Sequence, residues 1–332
     1  MDVTSKCLCG SSSFTVRIEQ YPIEAHLCHC DTCRHAHGEF AAFHAPWPVP
    51  PPESLKTMTG YQSSSSVTRY FCSKCGTQMG DAGAHGHQWT TSTATVDEPE
   101  KLFEYKHHIF VPDTKDGGLS DLLPMINGRE MRLWRGEKYQ SEELPKSWKG
   151  APPAPDPSER LEARCLCGGV KFFITRPDAD VGAPIPPRED PDIKKYVSRK
   201  GNKWMASNCV CKSCRLASGC DISSWYFVAT PFITLEDGAP FRNVFGTGRE
   251  YCSSENVARV FCSRCGATVL YQNFQRPKMV DISAGILRSK AGARAEDWAD
   301  WNLGIDYSSE AINASMRDAL QQGLSSWGHE TG

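Results

Sequence analysis

The spacing of the cysteines constrains this 332-residue chain more than any other feature, because fourteen of the sixteen fall into one three-part pattern that occurs twice. The pattern reads Cys-x-Cys-Gly, then Cys-x-Cys-x-x-Cys-Arg, then Cys-x-x-Cys-Gly. The first copy contains Cys7, Cys9, Cys28, Cys30, Cys33, Cys72 and Cys75, and the second contains Cys165, Cys167, Cys209, Cys211, Cys214, Cys262 and Cys265. Seven clustered thiols suffice to close one four-sulfur metal site and to leave a second site with three protein sulfurs.

The repeat predicts two metal-binding domains of ordinary size. Between the copies, residues 150–157 are rich in proline and predict a stiff linker, since proline-rich chain prefers the extended polyproline form. We therefore expect a first domain over residues 1–149 and a second domain, which carries insertions, over residues 158–332. Apolar residues recur at helical spacing behind a serine in residues 309–324, and this pattern predicts a short C-terminal helix.

Composition excludes several classes of partner. With 37 basic and 39 acidic residues and a pI near 6.6, the chain has no net charge that would attract nucleic acid or an anionic membrane. It contains no run of about eighteen apolar residues, and its amino terminus does not resemble a signal peptide. We therefore expect a soluble cytoplasmic protein with a small-molecule partner. The sequence leaves the oligomeric state open.

In a reducing compartment, bound metal accounts for so many cysteines better than disulfide bonds do.

The segments beside the cysteines are mainly strand-like, because β-branched and aromatic residues dominate residues 14–18, 67–71, 170–174 and 257–261. The predicted fold class is therefore mainly β, with metal sites that join the strands.

The first and third parts of each pattern predict closed zinc sites. Residues two apart in a strand point to the same face, and a Cys-x-x-Cys-Gly turn brings its two sulfurs together by curling. Two such pairs complete a tetrahedral zinc shell. The expected structural sites are Cys7, Cys9, Cys72 and Cys75 in the first copy, and Cys165, Cys167, Cys262 and Cys265 in the second.

The middle part of each pattern offers only three sulfurs to a metal. The two expected sites are Cys28, Cys30 and Cys33 in the first copy, and Cys209, Cys211 and Cys214 in the second. A fourth position left open to water or substrate is typical of catalytic zinc, whereas a nearby histidine or cysteine in that position would make the site structural. The chain would then bind up to four Zn²⁺ ions.

Histidines favour the first copy as the reactive one, because nine of the ten lie there and histidine is the usual acid–base group near neutral pH. His35, His37 and Glu39 closely follow the third thiol and are the candidate catalytic residues. In the second copy Cys220 stands at the position of Glu39. It either closes the second three-cysteine site or is a small buried residue. Cys252 has no counterpart and no predicted role.

The ordered motifs Cys-x-Cys-Gly, Cys-His-Cys-x-x-Cys-Arg and Cys-x-x-Cys-Gly resemble the glutathione-dependent formaldehyde-activating enzyme family, also called the centromere protein V-like family. The resemblance covers most of the chain as two tandem copies. It implies β-tent domains of twisted antiparallel sheets, structural zinc on the four-cysteine sets and catalytic zinc on the three-cysteine sets. The implied chemistry is a carbon–sulfur lyase reaction of glutathione and formaldehyde. The second copy keeps the Ser-Gly typical of the family as Ser218-Gly219, whereas the first copy has His37-Gly38.

Three functions remain in competition at the level of sequence. The leading one is a zinc-dependent lyase that acts on a thiol adduct such as S-hydroxymethylglutathione, with His35 or His37 moving the proton. The second keeps the zinc but replaces glutathione with a larger aromatic metabolite. The third is a non-catalytic zinc scaffold that binds a protein partner, and four protein ligands at every site would favour it. Family membership alone does not fix the substrate.

Overall fold

A computed structural model describes residues 1–151 and 158–331, with side chains described as far as residue 328. Residues 152–157, which form most of the predicted linker, lie outside the described residues, so the predicted domain boundary stays a prediction. Among the helices of the described residues, none is long and apolar enough to span a membrane.

The fold is mainly β, which confirms the predicted fold class. The strands of the first repeat are β1 (Asp2–Lys6), β2 (Ser13–Arg17), β3 (Ile23–Cys28), β4 (Ala42–Pro46), β5 (Met58–Gln62), β6 (Thr68–Cys72), β7 (Gln78–Ala82), β8 (Thr90–Ser92), β9 (Phe103–Ile109), β10 (Met125–Ile126), β11 (Arg129–Glu130), β12 (Arg132–Trp134) and β13 (Glu143–Leu144). Those of the second are β14 (Arg160–Arg164), β15 (Lys171–Thr175), β16 (Trp204–Cys209), β17 (Ser223–Ala229), β18 (Ile233–Leu235), β19 (Gly248–Ser254), β20 (Val257–Cys262), β21 (Thr268–Asn273), β22 (Met279–Ser283) and β23 (Ala299–Asp306).

Helices are few and mostly short. The α-helices are α1 (Asp31–His37), α2 (Pro99–Leu102), α3 (Lys212–Ser218) and α4 (Ala314–Thr331). The 3₁₀ segments are Pro52–Thr57, Ala84–Gly86, Thr93–Thr95, Val111–Thr114, Lys194–Tyr196, Thr230–Phe232, Ala284–Ile286 and Ser308–Glu310. The C-terminal helix is present but begins later than the predicted 309–324. Asn313 caps it by accepting a hydrogen bond from the backbone N–H of Met316 at 3.1 Å.

Each repeat is built on one large sheet, and the two sheets have the same strand order. The first runs β13-β12-β9-β3-β4-β8-β7-β6-β5, and the second runs β23-β16-β17-β22-β21-β20-β19. Leaving aside β12 and β13, every strand of the first sheet has a counterpart in the second. In both sheets the three-cysteine motif starts at the end of a central strand, which is β3 in the first sheet and β16 in the second. One neighbour of that strand runs antiparallel to it, and the other neighbour runs parallel to it.

The two repeats pack against each other with approximate two-fold symmetry. Gly38 ends α1 and Gly219 ends α3, both in the left-handed conformation with φ of 78° and 73°. A Cβ atom on Gly38 would lie 2.3 Å from the carbonyl oxygen of Thr268, and one on Gly219 would lie 2.6 Å from that of Gln78. Only glycine permits both the conformation and this close approach. Each helix therefore ends against the sheet of the other repeat.

A single hydrophobic core joins the repeats. It includes fully buried residues of the first repeat, such as Leu27 and Met79, and of the second, such as Trp204 and Leu270. Because this core is continuous, the two repeats are expected to depend on each other for stability.

Candidate metal centres and substrate cavity

The structure gathers the predicted four-cysteine sets into two tight clusters, Cys7, Cys9, Cys72 and Cys75 in the first repeat, and Cys165, Cys167, Cys262 and Cys265 in the second. The Sγ atom of Cys9 lies 3.5 Å from that of Cys7 and 3.7 Å from that of Cys72. The corresponding distances from Cys167 are 3.7 Å to Cys165 and 3.5 Å to Cys262. Four sulfurs placed tetrahedrally at about 2.3 Å from zinc lie about 3.8 Å apart, so both clusters fit the ion.

Hydrogen bonds to the sulfurs support a thiolate character in both clusters. The backbone N–H of Ser12 donates to Cys7 Sγ at 3.2 Å, and the N–H of Val170 donates to Cys165 Sγ at 3.3 Å. Hydrogen bonds to the charged form of an acid favour that form, and zinc binds cysteine as the thiolate.

The three-cysteine clusters lie where a strand passes into a short helix. Cys30 and Cys211 are the N-cap residues of α1 and α3, and each sulfur accepts a hydrogen bond of 3.3 Å from the backbone N–H three residues on. Cys28 Sγ lies 3.5 Å from Cys30 Sγ, again a separation that suits a shared metal. Within the described part of the chain, no fourth cysteine, histidine or carboxylate joins either cluster.

An arginine from a more distant strand of the same sheet contacts the third sulfur of each cluster. Arg69 of β6 donates to Cys33 Sγ at 3.3 Å, and Arg259 of β20 donates to Cys214 Sγ at 3.5 Å. Burial opposes any rise in the pKa of these guanidinium groups. The Asp81 carboxylate and then Cys33 nevertheless raise the pKa of Arg69, and Cys214 raises the pKa of Arg259, so both stay charged. The sequence analysis missed these residues, yet each arginine stands three residues before the Cys-x-x-Cys motif of its repeat.

The two arginines differ in their other partners. Arg69 also donates to the buried carboxylate of Asp81 at 3.0 Å. Arg259 has no carboxylate partner, and its Nε and Nη1 atoms are buried without a hydrogen-bond partner among the described residues. Arg259 therefore has free donors beside its metal cluster, whereas Arg69 has only Nε unpartnered.

The second three-cysteine cluster opens into a cavity of about 700 Å³. Its walls include all three thiols of the cluster and the guanidinium groups of Arg259 and Arg276. Five aromatic side chains also line it, namely Tyr196, Trp225, Phe227, Tyr271 and Tyr307. The volume lies in the range that accommodates a small organic ligand.

Asp281 of β22 is a buried carboxyl among the residues that line this cavity. Its Oδ2 accepts a hydrogen bond from Arg276 at 2.5 Å, while Oδ1 is buried without a partner among the described residues. Burial raises the pKa of Asp281 to about 6, even though the Arg276 hydrogen bond opposes the shift. No motif marks Asp281, because it approaches the cluster only through the pairing of β22 with β17 and β21.

The first three-cysteine cluster has different neighbours. It packs with Ala42, Ile109, Phe110 and Trp134 in a small apolar cluster. Trp134 belongs to β12, which pairs in parallel with β9 and has no counterpart in the second sheet. The chain that follows β9 therefore returns to pack beside the first cluster.

The candidate catalytic residues of the first repeat lie at the boundary with the second. His35 contacts the guanidinium group of Arg288, and burial together with that charge lowers the pKa of His35 to about 2. His37 Nδ1 lies 3.0 Å from the carbonyl oxygen of Ser218, and burial lowers its pKa to about 4. Glu39 accepts a hydrogen bond of 2.8 Å from the backbone N–H of Ser224, and burial raises its pKa well above the ordinary value.

Cys220 faces the first repeat. Its sulfur lies 3.4 Å from His37 Nδ1 and 3.4 Å from the carbonyl oxygen of Ala41. It is not part of the second three-cysteine cluster, so of the two sequence interpretations the structure favours a small buried residue. Cys252 is exposed, and its sulfur lies 3.9 Å from a carboxylate oxygen of Glu250.

Comparison with known families agrees with this architecture. The family model described as glutathione-dependent formaldehyde-activating enzyme matches residues 2–113 and 195–301, which together make up more than half of the chain. The first segment contains all seven patterned cysteines of its repeat, and the second contains the three-cysteine cluster and the Cys-x-x-Cys motif. A comparison with curated proteins found no match.

Proposed function

Because the chain belongs to the glutathione-dependent formaldehyde-activating enzyme family, we propose that it is a zinc-dependent carbon–sulfur lyase that acts on a thiol adduct such as S-hydroxymethylglutathione. The observation that carries the proposal is that three thiols, with no fourth protein ligand in the described chain, line a cavity of about 700 Å³. Zinc held there would supply a Lewis acid with a position free for a substrate atom. The two four-cysteine clusters would hold structural zinc, for up to four ions in all.

The charge of the site favours a thiol. Three thiolates around a dication leave a net charge of about minus one, which weakens the Lewis acidity of the ion relative to a histidine-bound zinc. A sulfur-rich site of this kind suits soft ligands, of which a substrate sulfur is the natural example. A reducing compartment such as the cytoplasm would keep the cluster thiols available for metal.

In the proposed reaction, the protein groups around the cavity bind the substrate and move one proton. As the carbon–sulfur bond of the adduct breaks, the sulfur leaves with the bonding electron pair as a thiolate, and the hydroxyl group becomes the carbonyl of formaldehyde. Asp281 would accept the hydroxyl proton, since it lines the cavity, one of its carboxylate oxygens has no partner among the described residues, and its pKa lies near 6. The reverse steps join glutathione and formaldehyde.

Charged residues of the cavity suit the remainder of glutathione. Arg259 and Arg276 place two guanidinium groups among the residues that line the cavity. Asp306 and Glu310 supply negative charge in the same cavity. Glutathione carries two carboxylates and one ammonium group, so both signs of charge find partners there.

A larger aromatic metabolite is the second candidate substrate. Five aromatic side chains line the cavity, and rings of this kind pack well against a planar ligand. A purely structural role for the chain is less well supported, because neither three-cysteine cluster has a fourth protein ligand in the described chain. The placement of the reactive site in the first repeat, with His35, His37 and Glu39, remains an alternative proposal.

The test measures exchange between free and hydroxymethylated glutathione by NMR, in the presence of zinc-loaded protein. Wild type should accelerate exchange over the uncatalysed mixture. Cys211→Ser should abolish the acceleration, and Cys30→Ser, its counterpart in the first repeat, should retain it, with circular dichroism as the check of fold. No acceleration by zinc-loaded wild type would shift preference to the aromatic metabolite. Loss in Cys30→Ser alone would place the reaction in the first repeat.

A further inference from the structure

Three histidines of the first repeat converge at a place that none of the cysteine motifs uses. His26 on β3 and His44 on β4 are direct partners in the antiparallel pairing of these strands. His85 lies in the 3₁₀ segment Ala84–Gly86, and its ring centroid is 4.6 Å from that of His26. One ring nitrogen from each of the three histidines lies within 4.8 Å of the other two.

Two of these histidines have no hydrogen-bond partner inside the protein. His26 and His44 are fully buried, and neither ring nitrogen of either residue has a partner among the described residues. Buried polar atoms nearly always find a partner, because an unsatisfied one loses its hydration without compensation. Four unsatisfied nitrogens on two adjacent imidazoles are therefore a reason to expect a ligand between them.

We propose that His26, His44 and His85 form a further metal site that binds a first-row divalent cation such as Zn²⁺. Imidazole is a common ligand of such ions, and three histidines with one open position are an established ligand set for zinc.

Two carboxylates lie beside the three histidines, in positions like those of the carboxylates that accompany ligating histidines in metal sites. Glu137 Oε2 lies 2.6 Å from His85 Nδ1, an arrangement that leaves Nε2 of His85 for the metal. A carboxylate bonded to the far nitrogen of a ligating histidine fixes its orientation and raises its basicity. Asp81 Oδ2 lies 3.6 Å from His44 Nε2 and adds negative charge beside the cluster.

The second repeat lacks this site. In the equivalent pairing of β16 with β17, Ser207 faces Trp225 where His26 faces His44. Neither a hydroxyl nor an indole binds zinc in the way that imidazole does. The proposed site would therefore be unique to the first repeat. It lies near the three-cysteine cluster of that repeat, because Arg69 donates hydrogen bonds both to Asp81 and to Cys33.

The experiment compares the metal content of full-length proteins by elemental analysis, after equilibration with Zn²⁺ and removal of loosely bound ion. His85→Asn is the test variant, because His85 has a φ of 52° and asparagine tolerates that conformation. His87→Asn, two residues away and outside the cluster, is the matched control. We expect one zinc fewer per chain in His85→Asn and no change in His87→Asn. Equal zinc content in all three proteins would overturn the proposal.

A second measurement does not depend on how His85→Asn folds. Glu137→Gln keeps His85 but weakens its orientation, and loss of such a partner typically lowers metal affinity about 10- to 100-fold. Both proteins would be loaded with Zn²⁺ and equilibrated with increasing concentrations of a chelator, and the zinc retained per chain would be measured. The ion held by the three imidazoles should leave Glu137→Gln at a lower chelator concentration than it leaves wild type, while the ions held by the cysteine clusters should leave both proteins at the same concentration. Identical release curves for the two proteins would contradict the site.

Discussion

The three-cysteine clusters of the two repeats occupy equivalent backbone positions and differ in what surrounds them. Both begin at the end of a central strand, both provide the N-cap of a seven-residue helix, and both receive a hydrogen bond from an arginine on a more distant strand of the same sheet. The first packs against Phe110 and Trp134. The second lines a cavity of about 700 Å³.

The difference in surroundings arises in the chain that follows the strand running parallel to the central one, which is β9 in the first repeat and β23 in the second. After β9 the first repeat continues into β12, which joins the sheet beside the cluster. After β23 the second repeat leads into α4, and no strand is added at that edge of its sheet. The same metal-binding motif can therefore have different surroundings, and the local motif alone does not decide which copy meets a substrate.

The largest expected effect concerns the feature that the repeats share, the four-cysteine clusters. Cys262→Ser should leave the whole chain largely unfolded at room temperature, because structural zinc contributes roughly 10 kcal/mol or more to folding and the two repeats share one core. Cys72→Ser should do the same. Thermal unfolding followed by circular dichroism checks this, with exposed Cys252→Ser as the control of unchanged stability. Separate melting of an intact first repeat in Cys262→Ser would contradict the shared core.

The next largest effect distinguishes the roles of Arg69 and Arg259, the two arginines that contact the three-cysteine clusters. Arg259→Met should lower turnover about 100-fold with little change in stability, because it removes free donors beside the proposed reaction. Arg69→Met should instead destabilise the protein by about 3–5 kcal/mol, because it leaves the Asp81 carboxylate buried without its partner. Steady-state rates per folded molecule and urea unfolding measure the two effects. The reverse pattern would assign the reaction to the first repeat.

A smaller effect distinguishes two buried carboxyls. Burial raises the pKa of both Asp281 and Asp81 to about 6. Below that pH Asp281 holds its proton and cannot accept another, so turnover should fall about 10-fold between pH 7 and pH 5. Asp281→Asn should remove this dependence along with most activity. Asp81→Asn should keep the pH dependence, since Asp81 faces Arg69 and His44. A pH profile that changes only in Asp81→Asn would refute the assignment of Asp281 as the proton acceptor.

Sequence spacing was enough to predict the metal clusters and the mainly β fold. Cysteines two or three residues apart converge through strand and turn geometry, which is local and periodic. The repeat of the pattern also predicts two metal-binding domains. These predictions needed no knowledge of how distant strands pair.

The residues that line the cavity could not be predicted in this way. Arg259 and Asp281 approach the second cluster because of strand pairing across the sheet, and neither residue belongs to a motif. Likewise, a count of histidines could not reveal that His35 and His37 are buried against the second repeat. Burial and register are properties of the whole fold, so local sequence does not specify them.

The smallest expected effect tests whether the second cluster truly lacks a fourth protein ligand. Cys220 is buried and contacts His37 and the carbonyl oxygen of Ala41, and it does not join the cluster of Cys209, Cys211 and Cys214. Cys220→Ser should therefore keep its full zinc content and lose only about 1 kcal/mol of stability, because the hydroxyl can donate to the same carbonyl. Elemental analysis of this variant beside Cys211→Ser measures the difference. Loss of one zinc from Cys220→Ser would mean that Cys220 closes the second site, and the proposal of a free substrate position there would have to be abandoned.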